Sequence, residues 1–268
     1  MGILAKACPP GDPGFCPPGV DEFYPKPIFE FTVAGIDFQV TRIMLLSWLV
    51  TVAIMALLVA AVRRPQLVPD RLQWMGESAY LFVRDGIARE VIGREGLKFA
   101  PYLATVFLFI LGNNLLGIIP FAQIAPTAKI ALPAFLAILS WILFNWVGIR
   151  RHGFIGYLKP IFFMPGVPKP MYILVTPIEV FSTLLVRPFT LAVRLFANMF
   201  AGHLLLLVFT LGAAYLITVG NISVVFAPVS FAMAIIMTFF ELLVAALQAY
   251  VFTILTATYV AGALEEAH

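Results

Sequence analysis

The chain has 268 residues, of which 62% are hydrophobic and 12% charged, and a formal net charge of +3. Soluble domains average roughly 45–50% apolar and about 25% charged residues. This composition therefore excludes a water-solvated globule and makes a bilayer the solvent for most of the chain. A small net charge with no basic stripe also excludes a nucleic-acid binder.

The first forty residues open with MGILAKACPPGDPGFCPPG. They lack the apolar core of a signal peptide and read as a proline-rich polar tail, residues 1–40. Between Arg42 and Arg63 lie 20 uncharged residues, IMLLSWLVTVAIMALLVAAV, matching the ~20 that cross a hydrocarbon core as a helix. Residues 41–62 are the first span. In residues 66–98, Leu72, Met75, Ala79, Phe82 and Val83 recur at helical spacing among Arg71, Glu77, Arg84, Asp85, Arg89 and Glu90. That pattern predicts an amphipathic helix on the membrane surface, with Pro69 and Asp70 at its start.

Between Lys98 and Lys129 run 30 uncharged residues, enough for a span near 100–119 that ends in NNLLGIIP and a turn. Residues 130–149, bounded by Lys129 and by Arg150 with Arg151, form the return span. Residues 99–149 are thus read as a transmembrane hairpin, followed by a basic loop over 150–173. Residues 63–98 hold seven Lys/Arg and residues 150–169 hold four, whereas the hairpin turn has only Lys129. Basic loops stay on the cytoplasmic side, which predicts the N-terminus outside. Cys8 and Cys16 then lie in an oxidising compartment, where they form a disulfide or stay as two free thiols.

Thr176, Pro177 and Glu179 read as a capping box with proline in the first turn, placing a helix start there. From Pro177 to Val219 the 43 residues carry no turn signal. A continuous helix of that length measures roughly 64 Å, twice the ~30 Å core, so it must tilt or bend, with Pro188 as the bending point. A last helix, from about Val224 to Gly262, is also too long to stand upright. The fold class is an all-α polytopic membrane protein: about five crossing helices, one interfacial helix, and a long tilted hairpin over 174–263. A short inner tail, 264–268, ends the chain.

The run RPFTLAVRLFANMFAGH, residues 187–203, puts charge into this oil-loving hairpin. A charged side chain at mid-bilayer costs about 2.5–3.5 kcal/mol even on lenient insertion scales. Arg187, Thr190, Arg194 and Asn198 are spaced by 3, 4 and 4 residues and share one helix face. His203 lies nine residues past Arg194, on the opposite side and about 13.5 Å further along. In the last helix Glu241 is the lone acid of an apolar run, with Gln248 seven residues on along the same face. A histidine and a glutamate that meet inside a membrane read as a proton relay.

RPFTLAVRLFANMFAGH together with FFELLVAALQAYVF resembles subunit a of the F-type ATP synthase, over nearly the whole chain. The resemblance implies a stator subunit set against a ring of c-subunits, each with one mid-membrane carboxylate, and two offset aqueous half-channels. It further implies contact with the peripheral stalk b subunits and the rest of the complex, in a bacterial plasma membrane with the C-terminus cytoplasmic. Arg194 matches the family's essential arginine, and Glu241, His203, Gln248, Asn198, Glu179 and Arg187 complete the expected proton path.

Where many relatives carry an acid this chain has His203, and where they carry histidine it has Glu241. An acid is also missing at Lys129, and Glu179 stands fifteen residues before Arg194, one more than in the family pattern. Simpler readings stand beside these: Arg187 snorkels to headgroups, Glu179 only caps a helix, and Asn198 with Gln248 only bonds neighbouring helices. Hydrolase, zincin and P-loop motifs are absent, so no catalytic residue, cofactor or metal ligand is assigned. The rival reading is a self-contained proton-coupled transporter in which Arg194 binds an anionic substrate.

Overall fold

The structure, a computed structural model, describes residue 19 and residues 27–33, 36–62, 69–119, 124–162, 171–219 and 222–264. Cys8 and Cys16 lie outside the described residues. Strands β1 (Phe29–Val33) and β2 (Ile36–Val40) come first, paired antiparallel with Phe29 opposite Val40 and Val33 opposite Ile36. The tail is therefore not structureless throughout. Its FEFTV and IDFQV alternate apolar and polar residues with the two-residue period of a strand, a signal easily passed over beside the spans.

The helices are α1 (Arg42–Val62), α2 (Arg71–Val83), α3 (Ala100–Leu115), α4 (Ala131–Phe162), α5 (Tyr172–Phe181), α6 (Arg187–Val219) and α7 (Ala227–Leu264). By length and composition four stretches can cross a membrane: Arg42–Ala61, Ala131–Leu158, Val175–Thr218 and Val224–Leu264. The apolar α3, with 16 residues, measures about 24 Å and is the short fifth member.

Helix α7 is the hub, and small residues explain why. Ala234, Ala245, Ala249, Ala257 and Ala263 are buried along it, letting α3, α4 and α6 approach closely. Leu191, Leu195 and Met199 of α6, Ile110 of α3 and Phe252 of α7 form one core cluster with the turn residues Ala125 and Ala128. A second cluster joins Ile87 and Ala88 to Leu103 of α3 and Ala257 of α7. Helix α1 is peripheral. It is tied to α3 by a 2.6 Å hydrogen bond from Ser47 Oγ to Asn113 Oδ1, and packs at Gly112, where a Cβ would fall 2.7 Å from Ile54 Cδ1.

Asp70 caps α2 as expected, accepting the Arg71 N–H at 2.8 Å. Gln73, Gly76 and Val83 are its buried residues, while the apolar Leu72, Trp74 and Met75 are exposed and Phe82 is half-exposed beside Phe107 and Tyr250. An outward apolar face suits a helix lying against lipid. The helix passes into a π-helical segment, Arg84–Ile92, and ends at Gly93, whose φ of 87° favours glycine.

Two expectations about the middle of the chain are corrected. The basic segment after residue 149 is not a plain loop, because α4 runs on to Phe162, broken only at Gly153 with φ 75°. That glycine folds the chain back so that the Tyr157 hydroxyl donates to Asn145 Oδ1 at 3.0 Å. The Tyr157 ring fills the space where a Cβ at Gly148 would sit. A Gly148→Ala substitution must therefore displace Tyr157. We expect it to cost about 1–3 kcal/mol of local stability, measurable as faster amide exchange across 150–158.

The second correction concerns Thr176, which caps nothing. Helix α5 already begins at Tyr172 with Pro177 inside it, and the Thr176 hydroxyl donates to the Phe162 carbonyl at 2.8 Å. The docking of α5 onto the end of α4 outweighs the local capping preference.

Candidate proton path

The continuous rod of α5 and α6, paired with α7, sets the polar residues at three levels. At the first, Glu179 Oε1 lies 3.4 Å from Arg187 Nη2 and 3.3 Å from the Thr183 hydroxyl. The Arg187 guanidinium also sits over the Tyr259 ring, 5.5 Å from its centroid, within cation–π range. Arg187 thus spends its charge on an acid and an aromatic face of its own chain rather than merely reaching for headgroups. Tyr259 was missed because an aromatic in an apolar helix carries no charge signal.

At the second level stand Arg194, Asn198 and Gln248. Asn198 Nδ2 donates to Gln248 Oε1 at 2.7 Å across the two helices, while Gln248 itself is buried. Arg194 is exposed, as are Thr190, Ala197, Asn198 and Ala201 around it. The expected polar face is real, and it opens outward between apolar neighbours such as Phe189 and Leu205. No acid lies within ion-pair distance of Arg194 among the described residues. The two acids of the hairpin are turned to other partners, Glu179 to Arg187 and Glu241 to His203.

The third level is the pair itself. His203 Nδ1 and Glu241 Oε1 are 3.6 Å apart, with both side chains 2% exposed. Glu241 accepts no hydrogen bond from another side chain among the described residues. It is walled by glycine: a Cβ at Gly117 would lie 3.4 Å from Glu241 Oε1, and one at Gly202 would lie 3.8 Å from Glu241 Cγ. Beside it lies a polar cluster that sequence reading did not single out. Asn114 Nδ2 donates to the Ala245 carbonyl at 3.2 Å and Asn114 Oδ1 accepts from the Thr127 hydroxyl at 2.6 Å. Asn113 and Asn114 were visible as two amides in an apolar run, but not their partners. Lys129, at the next turn, is partly buried, and burial holds its ammonium below the usual lysine range.

A bundle of membrane-length helices, with a buried His–Glu pair and an exposed arginine that no acid among the described residues pairs with, has the architecture of a polytopic membrane protein. Comparison with known proteins narrows this. The family model for the ATP synthase A chain matches residues 44–261, and the chain belongs to that family. An ATP synthase subunit a from a Nocardioides species is 44% identical over 90% of this chain and 87% of its own length. One from a Parafrankia species is 48% identical over 94% and 85%. The subunit a of Hyphomonas neptunium is 40% identical over 90% and 97%.

Proposed function

We propose that the chain is the stator subunit of the Fo sector, carrying protons through two offset half-channels at the face of a rotating c-subunit ring. Membership of the subunit a family makes it a multi-pass plasma-membrane component of a proton-translocating ATP synthase. The finer reading rests on one observation: Arg194 is exposed on an outward polar face with no acid within ion-pair distance among the described residues. A guanidinium cannot shed its charge, so its counter-charge in the membrane comes from a carboxylate on another chain. Attraction to Arg194 favours deprotonation of that carboxylate, and protonation releases it into lipid.

On this reading His203, Glu241 and the neighbouring Asn114 and Thr127 line the route from the outer side. Glu179 and Arg187 line the route to the inner side, and Arg194 keeps the two from joining. Gln248 and Asn198 hold α6 and α7 in register beside it. The basic segments place the N-terminus outside and the C-terminus in the cytoplasm. The charged flank of α2 is the surface offered to a peripheral stalk, and the subunit itself performs no covalent chemistry.

The test is purification in mild detergent followed by reconstitution. We expect the chain to arrive with a multicopy small proteolipid, and alone in liposomes to accumulate no solute. Arrival without a proteolipid together with solute uptake by the lone chain would establish the transporter reading instead.

A further inference from the structure

Glu179 and Arg187 stand eight residues apart in one helical rod, yet their charged groups meet at 3.4 Å. In an unbroken α-helix eight residues overshoot two turns by about 80°, which would aim the two side chains apart. Seven residues miss whole turns by only ~20°. The difference is made between them, where Ser182–Val186 forms a π turn. There the Arg187 N–H donates to the Ser182 carbonyl, five residues back.

A π turn takes up one residue more than an α turn, so eight residues across it cover the rotation that seven cover in an α-helix. Pro188 accounts for the site of the widening. It has no N–H to give to the Leu184 carbonyl, and its ring crowds that turn.

We infer that the π turn Ser182–Val186 is a register device: it rotates Glu179 onto the face of Arg187, which lies one heptad before Arg194, so that acid and arginines share one line. The buried Thr183 hydroxyl, on the same line, holds the Glu179 carboxylate from the other side of the turn. Leu184 and Leu185 are 45% and 58% exposed, so the extra residue is accommodated without disturbing the core. The inference rests on the proton-path reading above, since it assigns Glu179 a facing that matters only if that acid serves the path.

The experiment is ATP-driven acidification of inverted membrane vesicles carrying the whole complex, with assembly checked on native gels. Exchanging Glu179→Val with Val180→Glu moves the acid one position closer to Arg187. Inserting one alanine after Leu185 moves Glu179 one position further away. Each change alone is expected to cut proton pumping at least about fivefold, while the two together restore the eight-residue separation and return pumping to within about twofold. Recovery of that kind supports the device, because damage from two mere structural lesions would accumulate. An assembled double variant no better than the worse single one overturns it.

Deleting Leu185 is the second variant. It converts the π turn to an α turn with Glu179 still facing Arg187, so pumping is retained; loss of pumping in an assembled complex overturns the inference. Arg194→Ala separates the two levels. If that variant still pumps, the proton-path reading itself fails, whereas if it does not pump and the combined variant stays dead, only the register device fails.

Discussion

Arg194→Ala is expected to abolish ATP-driven proton transport, with no acidification detectable in a vesicle assay, while native gels still show an assembled complex. The physical reason lies in the surroundings of the side chain. Arg194 lies on an exposed face and contacts no acid of the described chain, so its removal breaks no internal ion pair and leaves the α6–α7 packing through Leu191, Leu195 and Met199 in place. What disappears, on the proposed reading, is the fixed positive charge facing the ring. Without it, a passing carboxylate has no partner to favour proton release, and nothing keeps protons from crossing without rotation.

Arg194→Lys is expected to fail as well. An ammonium can give up its proton when desolvated, whereas a guanidinium stays charged and presents a planar fork. Both variants should therefore be read for two quantities, pumping and passive proton leak. A variant lacking the arginine that pumps at the unmodified rate would remove the basis of the gate.

The second large effect concerns His203 and Glu241. Replacing His203 by glutamate alone sets two carboxylates within about 4 Å in a buried site, and such pairs resist both being ionised. Replacing Glu241 by histidine alone leaves no acid at that level among the described residues of the hairpin. Each single change is expected to slow proton transport at least about tenfold, equivalent to about 1.4 kcal/mol on the barrier. Exchanging both, His203→Glu with Glu241→His, keeps one acid and one base in contact and should recover transport to within a few-fold.

The geometry favours recovery. The two groups already meet at 3.6 Å, and Gly117 and Gly202 flank the site without side chains that would resist the swap. A double variant as slow as the singles would show that the contact is structural and not a relay.

The parts of this protein legible from the amino acids alone share one property: they are local. A run of 20 uncharged residues before Arg63 reports a span, because lipid leaves the backbone no partner but its own helix. The spacing of Arg187, Thr190, Arg194 and Asn198 reports a shared face, because helical rotation per residue is constant. His203 falls on the far side of that helix for the same reason, and it is buried where Arg194 is exposed. The family resemblance rested on such short runs too, and the matches to known subunits bear it out.

Where local preference competed with packing, sequence reading failed. The capping box at Thr176 was outweighed by the contact of α5 with the end of α4. The basic segment past residue 149 folded into helix because Gly153 allows a turn that lets Tyr157 reach Asn145. The π turn before Pro188 left only two marks, the proline and the one extra residue between Glu179 and Arg194, and neither by itself names a π turn.

Sequence by itself thus determined the solvent, the spans, the lone charges and the opposite faces of Arg194 and His203, but not the facing of Glu179 across the π turn. The contact of Glu241 with His203 was expected from their lone charges, and the tertiary structure alone decided the partners around it: Asn114 with the Ala245 carbonyl 131 residues away, Arg187 with the Tyr259 ring, and Arg194 with no acid among the described residues. The physical reason is that helical rotation is a property of neighbouring residues, whereas the pairing of helices depends on close packing of small residues far apart in the chain.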